Sequence, residues 1–298
     1  MSNNLTNLYY IKGDRIAKKL SKYCQKVNLS PVPFDIKNIS QPFFLINGDN
    51  NHHHRTYKVI KSLGSFDGYF HIDHHDDLGL ASVRKVQYDN FVYHLLKNSY
   101  KVVFVGQKYW KRETVFYNEK IDMLFRNNIE HYYPIDNIYF LSDVGEYIFI
   151  PISHFNELIL KMPELVKSKN IEEIYILDEM NYKNVKSRTF TRRDLIHEPF
   201  APDLYAGAII KFKSFSLSDL DFNKVYISID LDVLKIGLLH TPWTDDFSLY
   251  TISELLNEIR KIIKKYEVIG IDICGPDYLD IETLKNILFI IFKISSML

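Results

Sequence analysis

The sequence predicts an α/β fold, a three-layer sandwich with a mainly parallel sheet and helices on both faces. Two observations carry this. Short β-branched and aromatic runs recur along the chain, and helical patterns lie between several of them. Strands alternating with helices imply βαβ units, whose right-handed crossovers keep the sheet parallel and lay helices over both of its faces. A third observation concerns extent: the 298 residues contain no internal repeat, low-complexity tract or long Pro, Gly or Ser linker. A single domain over residues 1–298 is therefore expected, with residues 1–40 as an N-terminal appendage.

FFLI at 43–46, YFHID at 69–73 and KVVFV at 101–105 come first, followed by EYIFI at 146–150 and EIYIL at 173–177. VYISIDL at 225–231 and EVIGIDI at 267–273 close the series, and all seven have the length and composition of buried strands. The clearest helix is ISELLNEIRKIIKK, where Ile252, Leu255, Leu256, Ile259, Ile262 and Ile263 hold the i, i+3, i+4, i+7 spacing of one apolar face. Thr251 and Glu254 supply a capping box at its start. The terminal ILFIIFKISSML, interrupted by Lys293, reads as a buried closing element, since a bilayer span needs about 20 apolar residues.

Composition narrows the function. Lysine plus arginine and aspartate plus glutamate are both 37, which removes any general electrostatic attraction to nucleic acid or an anionic membrane. The two cysteines, Cys24 and Cys274, form no C-x-x-C pair, and no basic stretch followed by an apolar run opens the chain. A disulfide framework and a cysteine-based zinc site are thus unexpected, and a reducing cytoplasm is the expected location.

In parallel sheets ligands bind where strands end at the carboxyl edge, and three such ends carry the polar chemistry. YFHIDHHDDL sets Asp73, His75 and Asp77 at every second position, one side of an extended chain. Three such groups repel or desolvate one another without a cation between them, although a solvated charged loop tip is the competing reading. VYISIDLDVL interrupts an apolar strand with Asp230 and Asp232, two carboxylates whose unpaired burial would cost several kcal/mol. A capping role at the strand-to-helix turn would explain one of them better than both. INGDNNHHHRTY, just after FFLI, adds Asp49 and the histidines His52, His53 and His54, any one of which could be a ligand. Mostly oxygen donors with a few imidazoles suit manganese, and two metals sharing carboxylates would clamp and deprotonate a water.

The order of these motifs resembles the ureohydrolases of the arginase and agmatinase superfamily: a Gly-Asp-His-type turn, then D-x-H-x-D, then S-x-D-x-D with Ser228, Asp230 and Asp232. The looser first motif, with Asn51 and His52 where Gly-Gly-Asp-His is usual, and His71 just before Asp73, resembles the divergent branch that contains peptide arginases. By motif order the resemblance runs from about Phe43 to Pro276. It implies an arginase-like fold and two Mn2+ per chain. His52, Asp73, Asp77 and Asp230 would hold one manganese, with His54 as the alternative to His52. His75, Asp73, Asp230 and Asp232 would hold the other, Asp73 and Asp230 bridging. The implied activity is hydrolysis of arginine side chains in a ribosomally made peptide to ornithine, with release of urea.

The chain also departs from the family. Gly275, in GIDICGPDY, occupies the place of the guanidinium-pairing glutamate, and Asp277 is the favoured substitute, with Asp272 the other nearby acid. His94 lies in the region of the family's proton-shuttle histidine, and Asp77 is expected to return a proton to the departing amine. The loop LGLASVRKV offers only Ser82 as a short hydrogen-bonding side chain, which favours arginine within a peptide over a free zwitterion. Two other classes compete. IDHH resembles the D-H-H motif of manganese phosphoesterases and pyrophosphatases, and a non-catalytic peptide-binding relative is compatible with Gly275. An oligomer is compatible with every one of these readings.

Overall fold

The computed structural model describes residues 7–12, 14–23, 29–32, 39–73, 77, 85–88, 90–105, 116–117, 135–141, 146–151, 167–177, 207–234, 250–275 and 280–298. Nine strands form one sheet in the order β11-β7-β5-β4-β12-β13-β3-β1-β2. They are β1 (Asn7–Ile11), β2 (Leu29–Val32), β3 (Phe43–Gly48), β4 (Gly68–Ile72), β5 (Val102–Val105), β7 (Ile138–Leu141), β11 (Ser214–Phe215), β12 (Lys224–Asp230) and β13 (Glu267–Cys274). Every neighbouring pair is parallel. Among the described residues, five helices accompany them: α1 (Arg15–Tyr23), α2 (Arg55–Ser62), α3 (Phe91–Lys97), α4 (Ile252–Lys265) and α5 (Ile281–Ser295).

Alternation along the central strands sorts their side chains into two layers. Phe44, Ile46, Phe70, Ile72, Val225, Ile227, Ile229, Ile271 and Ile273 face one core, shared with Ile16 and Leu20 of α1, Leu255 and Ile259 of α4, and Ile287 and Ile291 of α5. Phe43, Leu45, Tyr69, Phe104, Tyr226 and Ile269 face the other, with Val59 and Ile60 of α2 and Phe91 and Leu95 of α3. The three-layer sandwich follows from these two stripes, because each strand is apolar on both sides and needs a helix over each. The capping box at Thr251 and Glu254 is formed, with the Glu254 amide donating to Thr251 Oγ1 and the Thr251 amide to the Glu254 carboxylate. The C-terminal ILFIIF run lies within α5, and no helix among the described residues is long and apolar enough to cross a membrane.

Two sequence expectations need revision. Asn7–Ile11 and Leu29–Val32 do not stand apart as an appendage, because β1 pairs in parallel with β3 and β2 with β1, and the two strands form one edge of the main sheet. A five-residue strand with polar flanks acquires its identity only from the edge it adds to. EYIFI and EIYIL are strands, β8 (Glu146–Pro151) and β9 (Ile171–Leu177), but they belong to a second sheet. There β10 (Gly207–Phe212) pairs antiparallel with both, and β6 (Phe116–Tyr117) pairs parallel with β8.

The register of the middle strands places the site. Ile72 pairs with Ile229, Asp230 with Cys274, and Cys274 with Gly48, so β4, β12, β13 and β3 end together at one carboxyl edge. On the α2 and α3 side of that edge, polar residues replace the apolar stripe: Asn47, His71, Asp73, Ser228, Asp230 and Asp272, all buried.

Candidate metal centre

Buried carboxylates dictate the hydrogen bonding here. Asp272, fully buried on β13, accepts from Tyr226 Oη at 2.7 Å, Ser228 Oγ at 2.6 Å and Thr56 Oγ1 at 3.1 Å. Thr56 Oγ1 in turn accepts from Asn47 Nδ2 at 3.0 Å, which leaves its proton for Asp272. The Ser228 proton is likewise committed to Asp272, so the Ser228 oxygen is an acceptor toward His53 Nε2, 2.8 Å away. Neutral His53 therefore carries its proton on Nε2 and a lone pair on Nδ1.

That lone pair faces acids. His53 Nδ1 lies 3.0 Å from Asp77 Oδ2, 3.1 Å from Asp73 Oδ2 and 3.5 Å from Asp230 Oδ2, and makes no aligned hydrogen bond to any protein group. A metal about 2.1 Å from two ligands at a right angle separates them by about 3.0 Å. The observed spacings are those of neighbouring ligands on one cation. Burial alone would lower the His53 pKa, yet Cys274 and the carboxylates of Asp73 and Asp77 raise it well above its ordinary value. Asp230 is pushed well above the usual carboxylate range by burial, then by the charges of Asp232 and Asp73. Both shifts have one meaning: the cluster demands positive charge, from a proton or from a cation.

Two compact groups of donors result, His53 with His71, Asp73 and Asp77, and His53 with Asp230 and Cys274. His71 stacks on His53 at 5.4 Å, accepts or donates at Nδ1 to Tyr69 Oη at 3.0 Å, and sets Nε2 3.4 Å from Asp73 Oδ2. Phe91 of α3 packs edge-on against His53 at 4.7 Å and closes the inner side. Asp77 has φ 49°, a left-handed turn that brings the chain back toward the strand end, and its carbonyl accepts from the Val92 amide of α3 at 3.2 Å. Asp230 is divided in its work, with Oδ1 accepting from the Asp232 amide at 3.0 Å and Oδ2 facing the site.

The structure brings together Asp73, Asp77 and Asp230 of the expected ligands. His52 it does not: this half-buried imidazole reaches Asp49 and stands 3.9 Å from Asp14 Oδ2, and His53 takes the inward place. A 3-10 turn over Asn50–His52 gives way to α2 at Arg55, and His53, between the two, is the residue that meets the acids. His54, at the start of α2, has its pKa lowered to about 4 by burial and by its cationic neighbours, and its Nδ1 is buried without a hydrogen bond. Asp232 is buried beside Asp230, while His75 and Asp277 fall outside the described residues, as does the loop stretch 78–84 with Ser82. His94 is on α3, its ring against Tyr57 and Tyr93, not against the cluster. The sequence offers His53 only as one of three candidate histidines, with His52 assigned in its place, and marks none of Tyr69, Thr56 and Tyr226 as part of the site. The signal for His71 was alternation, since Tyr69, His71 and Asp73 share one face of β4.

Two further features shape the edge. The buried Arg55 guanidinium donates to Asp14 Oδ2 at 2.6 Å and to the Asn47 carbonyl at 2.7 Å, crossing over Gly48, whose φ is 134°. Gly275 has φ 83° and donates its amide to Gly48 O at 2.9 Å. A glutamate at Gly275 would be strained, so the end of β13 is built for glycine.

No family model matches the sequence, and no curated protein does. Solved structures do match. The arginase of Helicobacter pylori superimposes over 98% of this chain and 99% of its own, at 9% identity and a TM-score of 0.52. A Clostridium difficile protein provisionally named an agmatinase covers 98% of this chain and 96% of its own, at 13% identity and a TM-score of 0.51. At such identities the likeness is one of fold. Together with the all-parallel sheet, it shows that the chain has the fold of the ureohydrolases, the arginase and agmatinase superfamily.

Proposed function

We propose that this protein is a manganese-dependent hydrolase that converts arginine side chains of a peptide to ornithine, releasing urea, in a cytoplasmic setting. The observation that carries the reading is the buried His53 Nδ1, without a hydrogen bond, among Asp73, Asp77 and Asp230 at ligand spacing and at the carboxyl edge of a ureohydrolase fold. His53, Asp73, Asp77 and Asp230 would hold one Mn2+, with Asp73, Asp230, Asp232 and His75 for a second. Bound there, the metals would supply the charge that brings a water's pKa toward neutrality.

The chain's own groups do the rest. Asp272, through Ser228, holds His53 in the tautomer that presents Nδ1. Asp77 takes the water's proton as the water oxygen bonds to the guanidinium carbon, and returns it to the departing amine as the C–N bond breaks, giving urea and the ornithine side chain. Asp277, beyond Gly275, pairs with the guanidinium. A loop poor in small polar side chains favours a peptide-borne arginine, whose amide flanks carry no charge to desolvate.

The test is urea release from free arginine, agmatine and a peptide with arginine flanked on both sides, each with and without Mn2+. Manganese-dependent urea release with the highest specificity constant for the peptide is expected. Equal or better turnover of free arginine removes the peptide preference, and phosphate release from pyrophosphate without urea transfers the site to phosphoester chemistry.

A further inference from the structure

We infer that Cys274 is a sulfur donor to a cation held with His53 and Asp230, which makes the centre a mixed nitrogen, oxygen and sulfur site. The inference rests on the reading of this cluster as a metal centre and deepens it. Cys274 is the last residue of β13, paired in register with Asp230 and fully buried. Its neighbour Ile273 faces the apolar core on the α4 and α5 side, whereas Cys274 belongs to neither apolar cluster. Its company is polar: the thiol donates to Asp230 Oδ2 at 3.1 Å, and donor atoms of Cys274, His53 and Asp230 all lie within 4.8 Å of one another.

Distance and chemistry agree on a ligand role. With a metal–sulfur bond of about 2.3 Å and a metal–oxygen bond of about 2.1 Å, two donors at a right angle on one ion lie about 3.1 Å apart. The independent observation is His53 Nδ1, buried, without a hydrogen bond and aimed into the same space. On loading, the Cys274 S–H bond breaks, its proton leaves to water, and the freed sulfur pair forms the bond to the cation, with no change of oxidation state. A thiolate favours thiophilic ions, so Cys274 tilts an otherwise hard donor set toward Co2+ relative to Mn2+.

The experiment loads the full chain with Co2+ alone and reads its absorption spectrum. Wild type is expected to show visible cobalt bands and an intense near-ultraviolet thiolate-to-cobalt charge-transfer band. The chain has two cysteines, Cys24 and Cys274. Cys24→Ser keeps the charge-transfer band, and Cys274→Ser loses it but keeps the visible bands. Competition titration should show Cys274→Ser weakening Co2+ binding by about tenfold or more and Mn2+ binding by less than about threefold. If Cys274→Ser fails to fold, Cys24→Ser decides alone, since it retains a single thiol. Visible bands without charge transfer in wild type and Cys24→Ser overturn the sulfur ligand only. No cobalt uptake by any variant overturns the metal centre with it.

Discussion

Ser228→Ala tests the link that makes His53 a ligand. The Ser228 hydroxyl is fully buried, 2.6 Å from Asp272 Oδ1 and 2.8 Å from His53 Nε2. Losing a hydrogen bond to a charged acceptor costs about 1.5–3 kcal/mol, and stranding a buried N–H costs about 1–3 kcal/mol. Both losses come from one oxygen, so they do not simply add, and a fall of about 2–4 kcal/mol in unfolding free energy is expected. Asp272 keeps Tyr226 and Thr56, so the carboxylate is not abandoned. Urea titration of metal-free protein should show an earlier midpoint at unchanged slope. The second effect is on the metal. Without an acceptor at Nε2, the His53 proton can move to Nδ1, where it competes with the cation, and affinity for Mn2+ should fall by about 10–100-fold. Chelator competition measures this, and because the two neutral tautomers carry the same number of protons, the loss should persist as pH rises. Wild-type affinity in a destabilised variant would refute the tautomer argument, and wild-type stability as well would refute the hydrogen-bond assignment.

His53→Ala should abolish Mn2+ uptake and His52→Ala should leave it near wild type by metal analysis, since only His53 meets the acids; the reverse result would restore His52 as ligand. Asp14→Ala leaves the Arg55 guanidinium buried without its carboxylate and should destabilise by about 3–5 kcal/mol in chemical unfolding, whereas a loss below about 1 kcal/mol would mean that the pair contributes little. His94 is held below its ordinary pKa by burial, so the unfolded chain binds its proton first. Its stabilising contribution is complete above the unfolded value and declines as pH falls through it toward the folded one, a slope that His94→Leu should remove from unfolding titrations across that range. Retention of the slope would assign it to another group.

Alternation and helical spacing in the sequence determined the core of this protein. VYISID and EVIGIDIC are apolar on both faces, which requires a covered parallel strand, and the stripe in ISELLNEIRKIIKK required one side of α4 to be buried. The same regularity exposed Asp73, Asp230 and Asp272, because a carboxylate inside an apolar run needs compensation wherever it lies. What sequence could not decide was phase and partnership. Tracing the buried stripe of Arg55, Thr56, Val59 and Ile60 back by three or four residues reaches both His52 and His53, and only the folded arrangement sets His53 beside the acids. EYIFI and EIYIL read as strands but carry no mark of the sheet they join, since pairing is a property of two segments. The relay from Asp272 through Ser228 to His53 spans 219 positions of the chain as separations of 44 and 175. Only the register of β4, β12, β13 and β3 brings those residues within hydrogen-bond reach, and with them Cys274 to Asp230.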